Sequence, residues 1–235
     1  MKLTWLGQAG YLLRTSSGMT IMIDPYMSDS LLEAAGEGYR REVPVDEDIL
    51  NMKLDFMIVT HPHGDHMDFG TLDVIFKNNP GMYVLSAYKT QFAMRERYGG
   101  ELHYMLFDAG AEINLPGIRF VSRYAMHCEG SIGAVIQADG QLVCHTGDTM
   151  LCTRLYDEYP KGADALILPI NGKGNNMTAM DAAKLTEALA PKSVYPMHFD
   201  MFRKYGCDPA EFTGALGSAC ASRVVIPTHY EEREI

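Results

Sequence analysis

Basic side chains are in the minority in this chain of 235 residues: 20 Lys and Arg stand against 30 Asp and Glu, a formal net charge of -10. That balance argues against a nucleic-acid binder that works through a basic surface, because phosphate contacts supply most of such affinity. Cysteine is scarce and unpatterned. Cys128, Cys144, Cys152, Cys207 and Cys220 are odd in number and include no CxxC, so neither a disulfide framework nor a cysteine-based zinc site is expected. A reducing, cytoplasmic setting is the simpler reading. No apolar run approaches the roughly 18 residues of a membrane span, and the opening Met-Lys-Leu-Thr-Trp soon meets Gln8 and Arg14, which leaves no signal-peptide core. Fixed-period repeats and low-complexity linkers are missing too. What is present, 47% apolar and 21% charged residues, is a globular composition that suits a single domain over 1–235. Expected partners are a small-molecule substrate, with neither nucleic acid nor membrane, and a second copy of the chain in a homo-oligomer.

Short segments rich in β-branched and aromatic residues predict strands at Leu3–Leu6, Tyr11–Arg14, Thr20–Ile23, Phe56–Val59, Tyr83–Leu85, Arg119–Val121, Ile132–Ala138 and Leu142–Cys144. Asp139-Gly140 supplies a hairpin turn between the last two. Ala165–Pro169, Val194–Tyr195 and Val224–Ile226 read as late buried strands. Helical spacing predicts helices at Gly70–Lys77, Lys89–Tyr98, Ala179–Ala190 and Pro209–Leu216, with Thr178 and Asp181 as a capping box for the third. Strands run through both halves with helices between them, which points to an α/β protein of two sheets covered by helices on their outer faces. The polar stretch Ser28–Asp48 reads either as an active-site flap or as a surface insertion.

Chemistry concentrates in Thr60-His61-Pro62-His63-Gly64-Asp65-His66, directly after the apolar strand Phe56–Val59. A turn at a strand end can aim several side chains at one point. Neutral imidazoles and a carboxylate suit zinc, and also manganese or iron. Three histidines and an aspartate within six residues are hard to explain as packing.

This run resembles the HxHxDH signature of the metallo-β-lactamase fold superfamily. Further matches follow in order: Ile23-Asp24-Pro25, His127, His145-Thr146-Gly147-Asp148-Thr149 and Pro196-Met197-His198. Within the superfamily, Met177-Thr178, Pro196 to Phe202 and Asp208-Pro209-Ala210-Glu211 resemble the L-ascorbate 6-phosphate lactonase subfamily and its small hydrolase relatives, although this chain is considerably shorter. The resemblance implies a four-layer αββα sandwich of two mixed sheets and two divalent metal ions, Zn²⁺ or Mn²⁺ with iron as an option. It implies a first site of His61, His63 and His127 and a second of Asp65, His66 and His198, with Asp148 bridging. A carboxylate between two divalent ions offsets their repulsion, and water held by both is acidified. Asp65 is then also the catalytic carboxylate that orients the nucleophile. Asp24 is expected to orient a ligating histidine, and His145 to sit behind the ligands on the other side of its strand.

His198 and His229 compete for one position, since each follows a strand and a proline; the helix and Asp-Pro segment downstream favour His198. His229 then either faces the pocket mouth as a substrate or proton-transfer group or lies at the surface. Asn176 and Arg203 are candidate substrate contacts, as are Lys173, Lys204 and Asn175, though solvated loop charges and turn roles explain these residues equally well. His103 has no chemical company. The activity implied is hydrolysis of a lactone or ester of a small metabolite, with a phosphate on it as an option. A small-molecule phosphodiesterase is the alternative, and a metal-binding relative without catalysis is the second. A true β-lactamase fits poorly because an aspartate stands at position 148, and an RNase Z-like nuclease fits poorly because the chain is acidic and has no basic arm.

Overall fold

The computed structural model describes residues 1–100 and 102–235. Strands β1 (Lys2–Gly7), β2 (Gly10–Arg14), β3 (Thr20–Ile23), β4 (Phe56–Val59), β5 (Tyr83–Ser86) and β6 (His103–Leu106) build one sheet. A second holds β7 (Glu112–Leu115), β8 (Ile118–Tyr124), β9 (Ile132–Ala138), β10 (Gln141–His145), β11 (Ala165–Pro169), β12 (Ser193–Met197) and β13 (Arg223–Val224). Strand β14 (Glu232–Glu234) returns to the first sheet and pairs with β1. Each sheet is mixed, with β3 to β6 parallel in one and β10 to β13 parallel in the other.

Period-two alternation sorts the first sheet into two faces. Ile21, Ile23, Phe56, Ile58 and Leu85 share a core with Phe120, Ala134, Ile136 and Val143 of the second sheet, and the rings of Phe56 and Phe120 lie 5.1 Å apart. The intervening Met22, Met57, Val59 and Val84 face the other way. They pack against Leu72, Ile75 and Phe76 of helix α3 (Phe69–Asn78) and Met94 of α4 (Tyr88–Tyr98), with methionines filling much of that layer. The outer face of the second sheet takes α5 (Thr153–Glu158), α6 (Ala179–Leu189) and α7 (Pro209–Ala215), through Leu155, Ala182, Leu185, Leu189 and Phe212. The layers are therefore helix, sheet, sheet, helix, the sandwich that the sequence resemblance implied.

Local chemistry explains several boundaries. Asp139 (φ 54°) and Gly140 (φ 72°) both take positive φ, as a two-residue hairpin between β9 and β10 requires. The Asp139 carboxylate accepts from the Ser16 backbone N–H at 2.6 Å and its hydroxyl at 2.7 Å, tying this turn to the opposite sheet. Thr178 Oγ1 accepts from the Asp181 backbone N–H at 3.2 Å and caps α6. The reciprocal contact runs from the Thr178 hydroxyl to the Asp181 carboxylate rather than to a backbone N–H.

The structure departs from the sequence expectation in four places, one of them the unforeseen helix α5. Strands β6, β7 and β14 were not foreseen; all lie at or near sheet edges and are half-exposed, and no apolar run marks β7 or β14, whereas Tyr104 to Phe107 is one that was overlooked at β6. The last parallel strand is shorter than Val224–Ile226 suggested. Residues Ser28–Asp48 carry ordered elements: α1 (Ser30–Ala35), a 3₁₀ turn at Glu37–Tyr39, and the start of α2 (Glu47–Leu50). This strap is pinned where Leu31, Tyr39 and Val43 pack on Tyr26, Met201 and Phe202.

Candidate metal centre

Parallel strands leave unpaired chain at their carboxyl ends, and every residue of the candidate centre sits at such an end or in a turn beside it. β3 delivers Asp24, and β4 delivers Thr60 to His66. The β8–β9 connection carries His127, β10 leads into His145 to Asp148, β11 into Asn171 to Asn176, and β12 into His198. Gly147 makes the β10 exit possible, since it sits at φ 62° and a Cβ there would run into the Ile132 carbonyl oxygen.

Three overlapping groups of donors converge: His61, His63 and His127; His61, His66 and Asp148; Asp65, His66 and His198. His61 Nε2 and His127 Nε2 each lie 3.0 Å from His63 Nδ1, close to the roughly 3.3 Å that separates nitrogens around one tetrahedral ion with 2.0–2.1 Å bonds. Asp148 stands between the two ends of the cluster. Its Oδ1 is 2.7 Å from His198 Nε2 and 3.4 Å from His66 Nε2, while Oδ2 is 3.8 Å from His127 Nε2. Yet His66 Nε2, His198 Nε2 and Asp148 Oδ1 are buried without a hydrogen-bond partner among the described residues. The 2.7 Å approach is out of line for a hydrogen bond. Lone pairs aimed at a shared point rather than at each other are what a metal site requires, and this donor set fits divalent ions.

Partners behind the donors set their tautomers. The Nδ1–H of His66 donates to Asp24 Oδ2 at 2.7 Å, leaving Nε2 free to ligate. Asp24 also accepts from the Thr60 backbone N–H at 2.8 Å and its hydroxyl at 2.5 Å. His127 Nδ1–H donates to the Asn175 carbonyl at 3.1 Å. Asn176 Nδ2 donates to Asp148 Oδ2 at 3.0 Å, so this asparagine holds a ligand as well as lining the pocket. His145 lies behind the site, with Nε2–H donating to the Ala9 carbonyl at 3.0 Å and Nδ1 accepting from the Gly147 backbone N–H at 3.1 Å. It locks the turn that presents Asp148.

Electrostatics divide the imidazoles. Burial, with His66 nearby, holds His61 well below its ordinary pKa, and burial beside His127 lowers His63. Burial also disfavours the charged form of His66, but Asp148, Asp65 and Asp24 together outweigh it and hold His66 well above its ordinary value. Asp148, fully buried, is kept ionised by His198 and His66 against the same desolvation.

The donors open into a cavity of about 290 Å³. Ligand residues His63, Asp65, His127, Asp148 and His198 line it together with the strap residues Leu31, Ala35 and Tyr39 and with Asn171, Lys173 and Tyr205. The stretch Ser28–Asp48 is thus a wall of the pocket. Four candidate contacts, Arg203, His229, Lys204 and Asn175, are absent from its lining. The Arg203 side chain is turned out to solvent, 81% exposed, and held by Glu42 at 2.6 Å, so its charge is answered elsewhere. His229 stacks on Trp5 with centroids 4.1 Å apart and directs Nε2 to Asp200 Oδ1 at 3.3 Å. One contact was missed from sequence. Gln8, in the β1–β2 turn at φ 50°, places its amide nitrogen 2.8 Å from both Asp65 Oδ2 and His198 Nδ1.

The profile of the family described as "Beta-lactamase superfamily domain" matches residues 2–198. The chain belongs to that superfamily. It is 30% identical, over the full length of both chains, to a UPF0173 metal-dependent hydrolase of Pelotomaculum thermopropionicum, and 28% identical, again over both full lengths, to one from Pyrococcus furiosus. It belongs to this UPF0173 family within the superfamily. Among solved structures, it is similar to Igni18, a metallo hydrolase of Ignicoccus hospitalis, with a TM-score of 0.77, 25% identity, and coverage of 100% of this chain and 98% of that one. The fold is that of the metallo-β-lactamase superfamily, and among the described residues no helix is long and apolar enough to cross a membrane.

Proposed function

We propose that this UPF0173 chain is a metal-dependent hydrolase of a small lactone or ester, with His61, His63 and His127 holding one divalent ion and Asp65, His66 and His198 a second. Asp148 stands between them. The observation that carries the reading is the convergence of these donors, with His66 Nε2, His198 Nε2 and Asp148 Oδ1 left without hydrogen-bond partners among the described residues. Two such ions, zinc or manganese with iron as an option, would acidify bound water and stabilise negative charge developing on the substrate oxygen.

The chain's own residues do the rest. Asp65, on the pocket wall, takes the proton of the attacking water and orients it. Asp24 fixes His66, and Asn176 fixes Asp148. Leu31, Ala35 and Tyr39 line the same cavity and limit water around the reacting group. Lys204 Nζ donates to the Tyr39 hydroxyl at 3.1 Å, and Lys173 Nζ to the Gly206 carbonyl at 2.7 Å; among the described residues neither ammonium has a carboxylate partner. In a chain of net charge -10, two such cations beside one pocket favour a substrate carrying an anionic group, a phosphorylated metabolite included.

The same cations favour a second reading, a small-molecule phosphodiesterase, in which phosphorus replaces carbon as the target. Lactones, thioesters and phosphodiesters screened against protein reconstituted separately with manganese and zinc distinguish the two. Turnover of a lactone or ester that His66→Ala and Asp148→Asn abolish, in variants that still fold, is the expected result. Turnover confined to phosphodiesters establishes the second reading. Binding of metal with no turnover of any class would make the chain a non-catalytic relative.

A further inference from the structure

Three candidate ligands each have an orienting contact that serves no other ligand: His66 has Asp24, His127 has the Asn175 carbonyl, and Asp148 has Asn176, while Thr60 Oγ1 lies 3.1 Å from His61 Nδ1 and 3.4 Å from His66 Nδ1. Asp65 and His198 instead share Gln8. Its amide nitrogen lies 2.8 Å from Asp65 Oδ2 and 2.8 Å from His198 Nδ1. These two partners come from different sheets, 57 and 190 residues away in sequence. Gln8 also holds His198 through the backbone, since its carbonyl accepts the His198 N–H at 3.2 Å and the Trp5 indole N–H at 3.2 Å.

The residue is kept in place at a cost. Gln8 is 2% exposed and sits at φ 50°, a left-handed conformation that disfavours a non-glycine residue, and His198 opposite it sits at φ 63°. An amide suits the position because it offers a donor and an acceptor of nearly equal size. As seen, the nitrogen donates to the Asp65 carboxylate and lies 2.8 Å from His198 Nδ1. Ligation through His198 Nε2 places the ring proton on Nδ1, and a half-turn of the amide then presents Oε1 as its acceptor, in exchange for the hydrogen bond to Asp65 Oδ2.

We infer that Gln8 is the positioning residue of the second metal position, governing how tightly the ion at Asp65, His66 and His198 is held and leaving the His61, His63 and His127 position alone. The inference rests on the two-ion reading above, and metal binding tests the two separately. Manganese and zinc are titrated calorimetrically into metal-free wild type, Gln8→Met and Gln8→Glu, with bound metal counted after dialysis and thermal unfolding of each metal-free protein recorded. Wild type is expected to take two equivalents. Gln8→Met, of similar size without hydrogen-bonding atoms, is expected to bind the first equivalent as wild type does and the second about ten- to hundredfold more weakly. Gln8→Glu keeps an acceptor for His198 Nδ1–H and is expected to recover part of that loss. Wild-type affinity for both ions in Gln8→Met, equal weakening of both, or a Gln8→Glu no tighter than Gln8→Met would overturn the inference with the two-ion site intact. A wild type that binds only one equivalent overturns the two-ion reading itself, and the inference with it.

Discussion

Asp24 Oδ2 lies 2.7 Å from His66 Nδ1, with both side chains wholly buried. A carboxylate in that position makes Nε2 of His66 the available donor and raises its basicity. Asp24→Asn is therefore expected to weaken the ion on the His66 side by about ten- to hundredfold. It should also destabilise the metal-free protein by about 3 kcal/mol or more, because a buried charged pair loses one member. Calorimetric titration and urea unfolding measure the two effects. Unchanged metal affinity would show that Asp24 only packs.

The histidines carry opposite pKa displacements, and this orders metal loss with pH. His61 and His63 are held below the ordinary 6.5, so they are neutral near pH 7 and surrender no proton on binding. His66 is held well above 6.5 and must lose a proton to ligate. Lowering the pH from about 8 to about 6 should thus release the ion on the His66 side first, with proton uptake visible in buffers of different ionisation enthalpy. In the metal-free protein the same raised pKa stabilises the fold. That contribution is fully present below 6.5 and is lost as the pH rises through the raised value. Release in the reverse order would contradict the assignment.

His145 is buried with its pKa lowered by desolvation, and both ring nitrogens are used, on the Ala9 carbonyl and the Gly147 N–H. His145→Phe leaves two buried backbone groups unpaired, at about 1–3 kcal/mol each. Urea unfolding should show a loss of about 2 kcal/mol or more. A variant as stable as wild type would mean that the Asp148 turn holds itself.

Arg203→Ala should leave turnover within about two-fold of wild type, as expected for an exposed ion pair away from the cavity. Tyr39→Phe, in contrast, removes a hydroxyl from the pocket wall and from Lys204. It is expected to raise KM several-fold with little change in kcat, measured on the best substrate of the screen. A KM change in Arg203→Ala would reopen that arginine as a substrate contact.

How much was legible varies with how local the signal is. The β4 strand and the cluster after it are contiguous, so hydrophobic run and donor density announce themselves together. His127, Asp148 and His198 are single residues at distant strand ends, and only the ordered resemblance singled them out. Arg203 flanks His198 in sequence, but its direction is decided by Glu42, 161 residues away. The strap could be read either as an active-site flap or as a surface insertion because its anchors, Leu31, Tyr39 and Val43, are spread among charged residues and meet Tyr26 and Phe202 only in the folded chain. Gln8 was hidden for a different reason. Between Gly7 and Gly10 an amide reads as turn chemistry, and its partners are visible only once two sheets have packed together.

Four non-glycine residues held at positive φ lie at the metal centre: Asn175, which acts through its backbone carbonyl, and Gln8, Asp24 and His198, which act through their side chains. Such conformations cost of order 1–3 kcal/mol each. A search for stabilising substitutions would therefore be drawn to Gln8 and His198, since glycine relaxes the backbone there, whereas at Asp24 the loss of the buried contact with His66 outweighs that gain. Each gain would remove a side chain that holds or orients a donor. Backbone stability and chemistry are in direct conflict at Gln8 and His198, and a library that spares them can harden the scaffold without trading away the site.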